Sequence, residues 1–237
     1  MAIEKVVIMG GSSGIGLATA ERLAKGSYQV IIASRSKEKI DRALKRIKGN
    51  VLGYPVDFTN PEALELFFQI IESLDHLICV GAGEAAWGSF PDIKTLELKQ
   101  GFENKFWGYF YSAQAALKNM KKKGSITFVI GGACRCAIPG TSGVAAVNGA
   151  ILSMGLTMAR EVAPIRVNLI APGVTNTPIY DYMPTEEKTS FFKQVGNSLP
   201  VGRIGEPDDI AKAMEFVIGN GYLTGAVIDV DGGGRLN

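Results

Sequence analysis

Val6-Val7-Ile8-Met9-Gly10-Gly11-Ser12-Ser13-Gly14-Ile15-Gly16-Leu17 runs from four apolar residues straight into a glycine cluster and out into a helical pattern. Strand, glycine turn and helix in that order are what a phosphate-binding turn requires, because residues without a Cβ let the backbone close on a pyrophosphate at a helix N-terminus. Gly10, Ser12, Ser13, Gly14, Ile15 and Gly16 are therefore expected to hold a nucleotide cofactor. Outward from this turn, short β-branched runs at 6–9, 30–33, 51–56, 77–80, 125–130, 166–170 and 227–230 alternate with amphipathic stretches at 17–25, 37–48, 61–73, 96–120, 144–162 and 207–218. That βαβ rhythm predicts an α/β fold: a Rossmann-type, doubly wound, seven-stranded parallel sheet with helices on both faces.

At 237 residues, 46% of them hydrophobic, the chain can bury one core as a single domain spanning 1–237. Twenty-five basic against 23 acidic residues leave a net charge of +2, which gives nucleic acid or an acidic membrane little to hold. The run Lys121, Lys122, Lys123 reads as a solvated helix end. Cys79, Cys134 and Cys136 make no disulfide framework and fit a reducing cytoplasm. The single histidine, His76, has no other ligand type clustered near it, so no metal site is expected. No stretch reaches eighteen apolar residues, and the N-terminal apolar run reads as a strand instead of a signal. The segment 175–206 is rich in Pro, Gly and aromatics and too long for an ordinary loop, so it reads as an irregular lid over a site.

Four motifs follow one another along the chain. The glycine spacing is Gly-xxx-Gly-x-Gly, Val56-Asp57-Phe58 follows the third strand, Arg166-Val167-Asn168 leads into Pro172-Gly173-Val174 and Thr177-Pro178, and Leu223-Thr224-Gly225 precedes Val230-Asp231-Gly232-Gly233. Together they resemble the short-chain dehydrogenase/reductase family over nearly the whole chain. The resemblance implies that Asp57 and Phe58 border the adenine, and that Gly81, Ala82 and Gly83 after the fourth strand and Pro172, Gly173, Val174 and Thr177 after the sixth complete the dinucleotide site. Met9 stands where the family carries threonine, and Val80-Gly81-Ala82-Gly83 replaces Asn-Asn-Ala-Gly. At the end of the second strand, Ser34 and Arg35 offer a hydroxyl and a forked guanidinium where a carboxylate would bond the ribose of NAD(H), so NADP(H) is preferred over NAD(H). The resemblance also implies a small-molecule substrate and a homodimer or homotetramer pairing the 96–120 and 144–162 helices, the first carrying Phe106, Trp107, Tyr109, Phe110 and Tyr111 on more faces than one core needs.

The reacting end departs from the family. There the resemblance implies a relay of an asparagine, a serine after the fifth strand and a Tyr-xxx-Lys pair on the next helix. Asn104 matches the asparagine, Gly131-Gly132 stand where the serine would be, Val144 falls on the tyrosine and Asn148 on the lysine. Val144 and Asn148 lie four apart, on one helical face toward the cofactor. No Tyr-xxx-Lys occurs anywhere in the sequence, and losing general acid–base help forfeits roughly 10²–10⁴ in rate, about 3–5 kcal/mol of barrier. Three readings stay open: an NADP(H)-dependent oxidoreductase in which water, Asn148, Tyr180 or Tyr182 relays the proton, a cofactor-bound isomerase or cyclase, and an inactive nucleotide-binding protein. Cys134-Arg135-Cys136 read as residues filling the loop, with a partly ionised thiol as the alternative, and Trp87 and Phe90 as pocket lining.

Overall fold

The structure is a computed structural model and describes residues 3–81 and 86–236; Ala82 and Gly83, assigned above to the cofactor site, lie outside them. The element order is β1 (Glu4–Met9), α1 (Gly14–Ala24), β2 (Tyr28–Ser34), α2 (Lys37–Arg46), β3 (Val51–Pro55), α3 (Pro61–Ile71), β4 (Leu74–Cys79), α4 (Thr95–Gly101), α5 (Gly108–Leu117), β5 (Met120–Val129), α6 (Ser142–Glu161), β6 (Arg166–Pro172), α7 (Thr185–Ser198), α8 (Pro207–Gly219) and β7 (Val227–Val230). All seven strands form one parallel sheet in the order β3-β2-β1-β4-β5-β6-β7. The chain winds outward from β1 in both directions, so the connections leaving β1 and β4 diverge and open a crevice at the C-terminal ends of those strands.

Alternation along β1 divides the core. Val7 and Met9 face a layer holding Phe67 and Phe68 of α3, Ala113 and Ala116 of α5 and Ile151 of α6, whereas Val6 and Ile8 face Leu17 and Leu23 of α1, Ile40 of α2 and Met214 and Val217 of α8. Local chemistry starts the helices where the crevice needs them. Asn60 caps α3 by accepting from the Ala63 N–H with Pro61 next, and Glu206 and Asp209 close a reciprocal capping box on α8. Arg166 accounts for its motif structurally: its buried guanidinium donates to the carbonyls of Val217, Ile218 and Leu223 and ties off the end of α8.

Several boundaries differ from expectation, each for a visible reason. The lysine run belongs to the exposed entry of β5, not to a helix end. The 96–120 stretch is interrupted by a π turn at Phe102–Trp107, between α4 and α5. Residues 175–206 are not irregular, because α7 occupies their middle; prolines and glycines crowd its flanks, and its polar composition obscures the short apolar face of Phe191, Phe192 and Val195. Among the described residues α6 alone is long and apolar enough to cross a membrane, with a mean hydropathy of 1.4 over eighteen residues, because small residues pad its apolar ones. In this fold Val147 and Ile151 bury one side of it against the sheet. His76 is a core residue, 2.8 Å from the Ser125 hydroxyl and edge-on to Tyr28, and burial holds its pKa below the ordinary value.

Candidate functional site

The glycine turn sits at the mouth of the crevice. Gly10 has φ +89, and a Cβ there would lie 2.8 Å from the Gly81 amide nitrogen, so the ends of β1 and β4 meet at bare backbone. A Cβ on Gly16 would lie 2.2 Å from the Gly10 carbonyl oxygen, which fixes the start of α1 directly over the turn. Ser13 is the N-cap residue of α1 but makes no side-chain cap bond, so the first-turn N–H groups remain for an anion. Thr177 comes down beside Gly14, its Cβ 3.4 Å from where a Gly14 Cβ would be. Gly173 extends β6 by donating to the Val230 carbonyl, the Val174 carbonyl accepts from the Gly205 N–H, and Thr175 closes back on the Gly173 carbonyl. Pro172, Gly173, Val174 and Thr177 thus line the far bank of the crevice.

At the adenine end the Ser12 hydroxyl donates to Ser34 at 2.9 Å. Arg35 beside it is exposed and has no ion pair or side-chain hydrogen bond among the described residues. Asp57 is exposed and oriented, its Oδ1 accepting from the Thr59 N–H at 3.0 Å and from the Thr59 hydroxyl at 2.8 Å. Phe58 departs from its assignment. Its ring is buried beneath Gly81 and Gly108, where added Cβ atoms would come within 2.7 and 2.3 Å of it, so it is floor and core, with only its backbone left for a ligand. A bare-backbone phosphate turn, a guanidinium unpaired among the described residues and a fixed aspartate together fit a dinucleotide.

At the reacting end Val144 and Asn148 are both buried on one face of α6. Asn148 Nδ2 donates to the Val144 carbonyl at 3.0 Å, which leaves its Oδ1 to accept from Lys105 Nζ at 2.8 Å. Sequence reasoning missed Lys105. Asn104 lies in the same π turn, half-buried and without a side-chain hydrogen bond among the described residues, while its neighbour reaches Asn148. The signal available was a lone lysine within the aromatic run Phe102, Phe106, Trp107, Tyr109 and Phe110. Burial pushes the Lys105 ammonium down to about 8, against a small upward pull from Cys134. Gly131 makes room for this arrangement, since a Cβ there would lie 3.2 Å from Asn148 Nδ2.

Other candidates are placed elsewhere. Cys134 is not an activated thiol: Arg135 turns away to pair with Asp229 at 3.0 and 3.2 Å, and burial pushes the thiol up while it donates to the Gly131 carbonyl. Tyr109 belongs to the core instead of an outer helix face. Its hydroxyl proton is shared between the carbonyls of Gly81 and Val129, at 2.9 and 3.1 Å, tying the ends of β4 and β5 together. Tyr180 packs on Phe191 and Phe192 of α7, and Tyr182, 81% exposed, faces solvent. Trp87 and Phe90 are also largely exposed. A depression of about 510 Å³ between Asn176, Asp181, Lys188 and Phe192 is formed within the 175–206 segment itself.

A family model described as enoyl-(acyl carrier protein) reductase matches residues 10–234. A mouse 3-oxoacyl-[acyl-carrier-protein] reductase is 30% identical over 97% of this chain and 97% of its own length. A short-chain dehydrogenase/reductase of Gibberella fujikuroi is 29% identical over 100% of this chain and 96% of its own. Among solved structures, a small-chain dehydrogenase in complex with NADPH superposes with a TM-score of 0.87 at 34% identity, covering all of both chains.

Proposed function

Because the chain belongs to the short-chain dehydrogenase/reductase family, we propose that it is an NADP(H)-dependent oxidoreductase that interconverts a small carbonyl compound and its alcohol without a tyrosine proton donor. The observation that carries the cofactor reading is Arg35, exposed and unpaired among the described residues beside the Ser12–Ser34 hydrogen bond, with no carboxylate at the end of β2. A guanidinium left free by the protein is suited to forking onto a 2′-phosphate, and a carboxylate in its place would repel one. The NADPH held by the superposable dehydrogenase supports the same reading. When bound, the nicotinamide supplies or accepts a hydride. The turn Gly10 to Gly16 and the start of α1 hold the pyrophosphate, Ser34 and Arg35 the additional phosphate, Asp57 the adenine end, and Pro172 to Thr177 the nicotinamide half. Val144 and Asn148 then form the wall where substrate and nicotinamide meet.

Fluorescence titration tests this reading. Wild-type protein is expected to bind NADPH more tightly than NADH, and Arg35→Ala to weaken NADPH by about 10–100-fold while leaving NADH nearly unchanged. Equal losses for both nucleotides, or no NADPH binding by the wild type, would overturn it.

The same helices suggest an assembly. Half-buried Phe110 and Tyr111 on α5 and exposed Leu156 on α6 leave apolar surface outside the core. We propose that it is covered in a homodimer or homotetramer. Light scattering after size exclusion is expected to give two or four times 25.3 kDa, and a monomer at micromolar concentration refutes it. A cytoplasmic location is proposed on the three free thiols, Cys79, Cys134 and Cys136.

A further inference from the structure

The π turn directs Lys105 at the wall of the crevice that the family equips with a phenol. We infer that Lys105 Nζ, held by Asn148, is the proton donor to the substrate oxygen, replacing the tyrosine that α6 lacks; this rests on the reductase reading above. The geometry has four parts. Asn148 cannot turn its acceptor away, because its Nδ2 is committed to the Val144 carbonyl one turn earlier, where the family tyrosine would stand. An ammonium has three N–H groups, and Asn148 takes one of those on Lys105, leaving two without a hydrogen-bond partner among the described residues. Gly131 has no side chain to compete for the space beside Asn148. The neighbouring O–H and S–H groups are committed, since the Tyr109 hydroxyl is shared between two carbonyls and the Cys134 thiol donates to a third.

Burial supports the assignment by bringing the ammonium down to about 8, within reach of neutral pH, where a general acid works best. Among the described residues, the titratable groups facing it are Cys134, from the loop after β5, and Tyr109, whose ring centroid lies 5.8 Å from Nζ. A bound nicotinamide would supply the hydride and its two electrons to the carbonyl carbon, and the C=O π pair would move to oxygen. That oxygen takes a proton from Nζ: one N–H bond breaks, one O–H bond forms, and the amine regains its proton from solvent once the product has left.

The first test needs no cofactor. In ligand-free protein with 13C-labelled lysine, the resonance lost in Lys105→Met is expected to titrate near pH 8, and a midpoint near that of free lysine, about 10.4, overturns the assignment. In NADPH-dependent carbonyl reduction, Lys105→Met is expected to turn over about 10²–10⁴-fold more slowly with NADPH affinity within about 3-fold of wild type. Lys105→Arg, which keeps the charge but does not release a proton at these pH values, stays equally slow and loses the alkaline limb near pH 8. Full activity in either variant overturns the inference and leaves the reductase reading standing, whereas wild-type protein that fails to bind NADPH removes the reductase reading itself.

Discussion

Val144→Tyr combined with Asn148→Lys is expected to lower stability by about 3 kcal/mol, and the melting temperature by about 6–12 °C, without producing a working dehydrogenase. Judged by sequence alone, the pair reinstates the family's Tyr-xxx-Lys. In the site it places a second ammonium where Asn148 Oδ1 now accepts from Lys105 Nζ at 2.8 Å, so an attractive contact becomes a repulsive one among poorly solvated groups. Two unit charges about 4 Å apart interact by roughly 4 kcal/mol at an effective dielectric of 20, and the system escapes part of this by neutralising one lysine. Lys105 yields first because burial has already brought it to about 8. The sign against pH follows. Lys105 is depressed in the folded state, to about 8 in wild type and further beside a second ammonium, so the variant's extra cost is present at lower pH and fades as rising pH neutralises one of the two lysines in the folded state. The double variant is therefore expected to lag wild type most at neutral pH and to close the gap at alkaline pH. Adding Lys105→Asn removes the repulsion and recovers the lost stability. Thermal melts of the double and triple variants between pH 7 and 10 check this, and a double variant as stable as wild type at pH 7 would mean that Lys105 does not occupy this position.

The glycine turn and the strand before it were legible in the sequence because their constraints are local. A Cβ at Gly16 or Gly10 collides with backbone, so glycine at those positions announces the turn, and period-two burial along β1 follows from which residues are apolar. The pairing at Val144 and Asn148 was not legible in the sequence. Val144 and Asn148 could be counted out from flanking motifs, but their partner comes from a different helix, and which of its residues faces inward depends on a π turn. One residue more per turn rotates everything that follows by about 100°, and helical periodicity read along 96–120 contains no sign of it. Lysine also carries a strong expectation of exposure, which concealed Lys105 among the aromatic residues around it. The Phe58 ring was not legible either: at a position read as ligand contact, the side chain is packing that fills space Gly81 and Gly108 leave open.

Gly16→Val should be the most damaging single change at the cofactor end, with a loss of at least about 3 kcal/mol and NADPH binding weakened beyond 100-fold. The new Cβ would stand 2.2 Å from the Gly10 carbonyl oxygen and 3.0 Å from Gly11 Cα, and neither can retreat. The Gly10 N–H is bonded to the Ala33 carbonyl at 2.8 Å, and its other side is pressed against the Gly81 amide. Relief has to come from α1, which is anchored by Leu17, Ala20 and Leu23 in the core. Moving α1 carries its first-turn N–H groups off the phosphate position, so folding and binding fail for one reason. Gly149→Ala on α6 is the matched control: a Cβ there meets nothing within 4 Å, and the gain in helix propensity is expected to stabilise by about 0.5–1 kcal/mol. Melting and NADPH titration of both variants decide the matter, and a Gly16→Val protein melting within about 2 °C of wild type would mean that the turn is not fixed as described. Set beside Lys105→Met, which is expected to keep NADPH and lose turnover, Gly16→Val asks whether holding the cofactor and moving the proton are separable in this fold. The distinct supports of Gly16 and Lys105, backbone at β1 for one and a side-chain pair with α6 for the other, say that they are.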